Sequence, residues 1–298
     1  MTNDSVSRSA LGAAFLRAME NQNRKKKRLF SDPLARRLLT PSYRALFGVT
    51  SIPGVKSLLS QSEGPLPGVA GGLLGRTCYI DETLEAALAD GIGQVVILGA
   101  GLDSRAYRIP GMEHASVYEV DQPAVIAYKR ERLTEILGAI PSNVTLVPLD
   151  FDLERLDGAL FDVGFQPEKL AFFIWEGVSQ YLMASAVDAT LRLVASCAAG
   201  SRIVFTYVHR GVLDPTSPLY NPEMLDKLKK MGEPWRFGLH PSQVAKYLHE
   251  RGLRLVDQAD AAVYRQRYFE PHDRDMLVMD IEFTVLAEAT GRLPGTRY

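Results

Sequence analysis

At 298 residues, with 46% hydrophobic and 23% charged residues and a formal net charge of −1, the chain has the composition of an ordinary globular protein, long enough to bury a large core in one domain or two. That balance excludes intrinsic disorder and leaves no overall field to draw nucleic acid. Cys78 and Cys197 have no metal-ligand spacing and fall in apolar segments, so they read as buried reduced thiols in a cytoplasmic protein without a metal site.

The N-terminus opens on polar Thr2, Asn3, Asp4 and Ser5 with no positive region feeding an apolar stretch. Nowhere do about 18 uncharged apolar residues run together, so neither secretion nor a membrane span is expected. Residues 10–20 are predicted to form an amphipathic helix. The basic run from Arg24 to Arg28 has no interleaved aromatics and reads as a solvated face. Asp32 stands where it can cap a helix beginning at Pro33. From Pro53 to Gly75 the abundance of Gly, Pro and Ser predicts a surface loop, a candidate lid.

From Asp81 onward helix and strand alternate: helix 81–90, strand 94–98, strand 117–120, helix 123–138, strand 144–149, strand 170–175, helix 184–198 and strand 202–208. The strands are short continuous apolar runs rather than alternating ones, as parallel strands covered on both faces require, so a doubly wound α/β sheet is predicted. A less regular stretch follows at 209–240, with Pro215, Pro218, Pro222, Pro234 and Trp235. Helix 242–250, strand 253–258 and a final apolar run at 281–287 complete the chain, with no internal repeat.

Ligands of open α/β sheets sit at the carboxyl ends of the strands, and the turns there are rich in chemistry. After the first strand, Gly99-Ala100-Gly101 lets backbone approach a ligand closely. Asp121 ends the next strand about 20 residues on, where a carboxylate receives ribose hydroxyls. Asp150-Phe151 ends the third, a carboxylate for an exocyclic amine and a ring for an adenine face. These parts suit an adenosine. A dinucleotide fits less well, because Ser104 replaces the usual third glycine and Asp103 would repel a pyrophosphate; S-adenosylmethionine carries none. Arg76 or Arg105 can hold the methionine carboxylate, Arg105 reading equally as a surface residue. Glu176, after the apolar run Phe172-Phe173-Ile174-Trp175, either binds a cation such as the donor's ammonium or sulfonium, caps the next helix, or pairs with an arginine.

Taken together, these stretches resemble the leucine carboxyl methyltransferase-like family of class I S-adenosylmethionine-dependent methyltransferases, which includes bacterial small-molecule O-methyltransferases. The similarity lies in Leu29-Phe30-Ser31-Asp32-Pro33-Leu34-Ala35, Arg76, residues 96–105, Tyr118-Glu119-Val120-Asp121-Gln122-Pro123, Asp150-Phe151 and residues 176–182, with Arg267-Tyr268-Phe269-Glu270-Pro271 near the C-terminus. The resemblance implies a Rossmann-like seven-stranded sheet with its last strand antiparallel and N-terminal helices closing over the donor. It also implies site roles: Arg76 for the donor carboxylate, Gly99 and Gly101 for the turn, Asp121 for ribose, Asp150 and Phe151 for adenine, and Glu176 near the amine or sulfur. The expected organisation is a helical lid over 1–75 and a methyltransferase domain over 76–298, with a substrate insertion at about 209–250.

Methyl transfer from a sulfonium is an in-line displacement, so positioning in a dry pocket is the main task. A carboxylate acceptor, with a pKa of about 4, needs no general base, whereas a phenol near 10 benefits from one. Candidate acceptor contacts are Tyr181, Tyr207, His209, Trp235, Phe237, His240 and Met19, with His209 a candidate base. The function expected is O-methylation of a carboxylate or hydroxyl on a small metabolite, such as a polyketide-like one. Methylation of a protein C-terminal carboxylate and a noncatalytic adenosine- or NAD-binding module are the alternatives.

Overall fold

The computed structural model describes residues 6–49, 67–151 and 154–291. Helices α1 (Arg8–Glu20), α2 (Ala35–Leu38) and α3 (Pro41–Val49) precede the long α4 (Val69–Ala89). Seven strands follow, β1 (Gln94–Leu98), β2 (Ser116–Asp121), β3 (Val144–Pro148), β4 (Ala171–Trp175), β5 (Arg202–Val208), β6 (Leu253–Ala259) and β7 (Glu282–Ala289), in the spatial order β3-β2-β1-β4-β5-β7-β6. The first five are parallel, and β7 runs antiparallel to both β5 and β6. Between the strands lie α5 (Arg105–Arg108), α6 (Pro123–Leu137), α7 (Leu156–Asp162), α8 (Ala184–Ser196), α9 (Pro222–Lys230), α10 (Val244–His249) and α11 (Ala261–Tyr264). The predicted sheet, with its reversed strand, is present.

The central strands β1 and β4 are buried along their whole length. Successive residues point to opposite faces, and each face has its own core. Val96 and Phe173 pack with Phe205 and Leu191 on one side; Val95, Ile97, Phe172 and Ile174 pack with Leu84 on the other. A third cluster joins Leu11, Ala14, Leu34 and Leu38 of the N-terminal segment to Leu102 and Leu133, so the first helices share a core with the turn after β1 and with α6. Asp32 Oδ1 accepts from the amides of Leu34 and Ala35 at 3.2 and 2.9 Å, so it holds the turn that leads into α2, which begins at Ala35 and not at Pro33 as expected. No helix among the described residues is long and apolar enough to cross a membrane. Both cysteines are free and buried.

Two expectations are corrected. The loop expected from Pro53 to Gly75 is helical from Val69 onward, and α4 runs through position 75; residues 53–66 of that loop lie outside the described residues. The glycines there serve close packing: a Cβ on Gly75 would come within 2.5 Å of Tyr264 Cγ, and one on Gly71 would collide with the Leu277 carbonyl. The stretch 209–240 also contains a helix, α9. Asn221 Oδ1 accepts from Met224 N at 3.0 Å and Pro222 occupies the first turn, where its missing N–H costs nothing. Met224 and Leu228, one turn apart, bury its inner face.

Candidate active site

Strand order reverses between β1 and β4, and the crevice at their carboxyl ends is where such sheets bind ligands. It opens into a cavity of ≈ 410 Å³. Gly99 has φ 65° and Gly101 φ 41°, and a Cβ on Gly99 would collide with Val178 Cγ2, so only glycine fits there. This floor is stitched to β2. Ala100 N donates to Val120 O at 3.0 Å, Gly101 N to Asp121 Oδ2 at 2.6 Å, and Gln122 N to Asp121 Oδ1 at 2.7 Å. Burial pushes the Asp121 carboxyl above its usual range in spite of those two amides. Below the turn, the fully buried Lys129 and Glu119 pair at 2.9 Å. Lys129 Nζ donates to Ala100 O at 3.4 Å, and Tyr107 OH to Glu119 Oε2 at 3.0 Å.

Helix α1 roofs the cavity with Ser9, Ala10, Ala13 and Arg17. Arg17 Nη2 donates to Leu102 O at 2.6 Å, and Ser9 N donates to Glu233 Oε1 at 3.1 Å, which ties the roof to the loop 232–236 on the opposite rim. That loop is anchored in turn: the amides of Arg236 and Phe237 donate to Gln180 O at 2.6 and 3.2 Å.

Behind one wall, and reaching it through Arg17, Arg76, Asp103 and Glu176, runs a chain of buried ion pairs. Arg17 binds Asp32 at 2.9 Å, and Ser104 Oγ donates to the same carboxylate at 2.7 Å. Arg108 and Arg105 each reach Asp81 at 2.7 Å; Arg105 continues to Asp103 at 2.5 Å and Glu176 at 2.6 Å. Arg76 links Glu176 at 2.8 Å to Glu282 at 2.7 Å. Four guanidinium groups thus meet five carboxylates, leaving one negative charge in excess in a low-dielectric setting where charge balance matters. Burial alone would raise the Glu176 carboxyl, but Arg105 and Arg76 beside it hold it down to about 2. Asp103, also buried, is held well below the usual range by Arg105.

Of the residues expected here, Arg76, Gly99, Ala100, Gly101, Asp121, Phe151, Glu176 and Tyr181 all line this cavity. Asp150 stands at the end of β3 beside Phe151, its amide donating to Glu154 Oε2 at 2.8 Å, and is not part of the wall. Burial raises the Tyr181 hydroxyl, with Glu233 adding to the rise.

Tyr207 and His209 are elsewhere. The register of β5 turns Thr206 toward the turn after β4, where its Oγ1 accepts from the wall residue Gly177 N at 2.7 Å; Tyr207 on the other face is fully buried and stacked on Phe283, with ring centroids 5.3 Å apart. His209 Nδ1 accepts from Gly211 N at 3.0 Å, capping the turn Arg210–Leu213. Its ring meets His240 edge-on at 5.3 Å. Burial lowers its pKa, and His240 lowers it further. Trp235, Phe237 and Met19 also pack into clusters rather than the cavity; the stretch supplies Gly232, Glu233, Pro234 and Arg236 instead.

Arg105 is 2% exposed and is no surface residue. Glu282 was not foreseen. Its signal was available, since it is an acid within the apolar run 281–287, the same anomaly that singles out Glu176.

Comparison with known proteins follows the same lines. The sequence profile of the leucine carboxyl methyltransferase family matches residues 10–195. A protein of Mycolicibacterium paratuberculosis named S-adenosyl-L-methionine-dependent methyltransferase is 34% identical over 219 residues, 71% of this chain and 68% of its own. One of the same name from Mycobacterium tuberculosis is 33% identical over 217 residues, again 71% and 68%. A solved methyltransferase structure from Thermobifida fusca superposes with a TM-score of 0.59 over 97% of both chains at 16% identity, a likeness of fold.

Proposed function

Because the chain belongs to the leucine carboxyl methyltransferase family and is an S-adenosylmethionine-dependent methyltransferase with the class I fold, we propose that it methylates an oxygen, carboxylate or hydroxyl, of a small molecule. The observation that carries this reading is the cavity itself: ≈ 410 Å³, roofed by α1 and rimmed by the loop 232–236. That is small-molecule scale, and the hydrogen bond from Ser9 to Glu233 joins two segments of its lining.

The donor fits the residues present. When bound, it supplies a methyl group on a sulfonium, and with an ammonium and a carboxylate it carries one net positive charge. The ion-pair chain behind the wall has the matching surplus of one carboxylate. We assign Glu176 to the cationic end and Arg76, whose Nε and Nη1 are taken by Glu176 and Glu282, to the donor's carboxylate. Asp121 uses two acceptor positions on Gly101 and Gln122 and retains others for ribose hydroxyls. Phe151, with Asp150 behind it, is assigned to adenine. Helices α1 to α3 act as the lid, and 209–250 as the acceptor insertion.

Glu176 is held too acidic to take a proton near neutrality, and no histidine among the described residues lines the cavity. The chain therefore positions an acceptor that is already ionised, which favours a carboxylate over a hydroxyl. Tyr181 and the roof residues exclude water around the reacting atoms. The family match also covers methylation of a protein C-terminal carboxylate as a second reading. Transfer of a labelled methyl from S-adenosylmethionine to a panel of small acids and phenols, beside a peptide ending in leucine, separates the two. Label in the peptide alone overturns the small-molecule reading.

A further inference from the structure

Three arginines line the cavity. Arg17 and Arg76 are each committed to carboxylates. Arg236 forms no ion pair and no side-chain hydrogen bond among the described residues. Glu233, three residues earlier in the same loop, is a wall carboxylate, and it receives the amide of Ser9 from the roof instead of pairing with Arg236.

Arg236 is nevertheless well placed. Its own amide is bonded to Gln180 O at 2.6 Å. Gln180 belongs to the turn Ser179–Tyr181 that follows β4, and Ser179 Oγ donates to Thr206 O at 2.5 Å. The base of the arginine is thereby fixed to the strand end that carries Glu176, while its side chain is exposed at the rim. An anion entering here meets Asp103, Asp121, Glu176 and Glu233 on the walls. Without a compensating cation it would be repelled. A guanidinium offers paired donors that match a carboxylate, and among the described residues Arg236 is the wall guanidinium with both edges unclaimed.

We propose that Arg236 selects the acceptor by binding its carboxylate, so that the substrates of this enzyme are small organic acids. This rests on the small-molecule reading above and adds to it the residue that discriminates an acid from its neutral analogue.

The test uses the full chain saturated with S-adenosylhomocysteine, titrated with benzoate and with benzamide by calorimetry, in wild type, Arg236→Gln and Arg236→Lys. The expected result is saturable benzoate binding, at least tenfold weaker binding of benzamide, at least tenfold weaker benzoate binding in Arg236→Gln, and partial recovery in Arg236→Lys. Tenfold corresponds to about 1.4 kcal/mol. Prior titration of S-adenosylhomocysteine into each variant shows that its donor site is folded. Benzamide binding as tightly as benzoate, unsaturable benzoate, or an Arg236→Gln variant that binds benzoate like wild type overturns the assignment. None of these needs turnover, so they stand apart from the peptide-labelling result that refutes the small-molecule reading.

Discussion

Replacing Asp121 by Asn keeps the shape of the side chain but removes its charge and one of its two acceptor oxygens. In the structure those oxygens take the amides of Gly101 and Gln122 at 2.6 and 2.7 Å. A hydrogen bond to a charged group contributes roughly 1.5–3 kcal/mol, so losing one costs about 2 kcal/mol of folding stability. Part of that is returned, because burial raises the Asp121 pKa, which means the charged form is disfavoured in the folded protein and its removal relieves a strain of charge. The net change in unfolding free energy should therefore be small. Donor binding has no such compensation: loss of charged acceptors for the ribose hydroxyls should weaken it at least tenfold, about 1.4 kcal/mol. Calorimetric titration with S-adenosylhomocysteine beside thermal unfolding reads both quantities. An Asn variant that binds within twofold of wild type would remove this carboxylate from the donor site. The sign for pH follows from the raised pKa: Asp121 takes its proton before an ordinary aspartate does, so donor affinity should start to fall, on acidification, above pH 3.8.

Gly99→Ala should abolish measurable donor binding and lower the melting temperature, since the position combines φ 65° with a collision against Val178; normal affinity in that variant contradicts the tight floor. Lys129→Met should cost about 3–5 kcal/mol by leaving Glu119 buried and unpaired, whereas Lys129→Met combined with Glu119→Leu should be far closer to wild type. Denaturant titration of the two variants decides, and equal losses refute the paired account. Glu176, lowered from 4.5 to about 2 in the folded chain, contributes stability that is whole above pH 4.5 and drains away as pH falls toward 2. Unfolding free energies across that window should fall less steeply for Glu176→Gln than for wild type, and parallel slopes would contradict it. Cys78 and Cys197 are buried, the latter with its thiol pushed up by burial to about 12; both should resist a thiol reagent until the chain unfolds, so rapid modification of the native protein counts against this packing.

The parts of the fold written in unbroken apolar runs were legible because each such residue has a core to enter. β1 and β5 begin and end where the sequence places them, at 94–98 and 202–208. Glycines and prolines misled where tertiary context overrode their local meaning. Gly71 and Gly75 read as loop, yet they let α4 lie against 264 and 277; Pro222 read as a breaker, yet it opens α9. At the cavity, Gly99, Gly101, Asp121, Phe151 and Glu176 come together as expected of residues at the ends of neighbouring parallel strands, whereas Asp150 does not reach the wall. Tyr207 and His209 do not reach the cavity for a reason of register, since strand alternation turns Thr206 to the backbone of Gly177 and Tyr207 to the opposite core. The partners of Arg76 and Arg105 were out of reach, because nothing local in a sequence says which distant carboxylate a buried guanidinium meets.

The bond between Arg76 and Glu282 crosses 206 residues of chain. At a synthesis rate of about 5–20 residues per second, some 10–40 s separate the appearance of the two on the ribosome. Until β7 is made, the nascent protein holds Arg76 of α4 with one of its two carboxylates, Glu176, and without the other. The ion-pair chain beside the cavity is for that reason completed late, by the strand that threads backward between β5 and β6, both of them already synthesised.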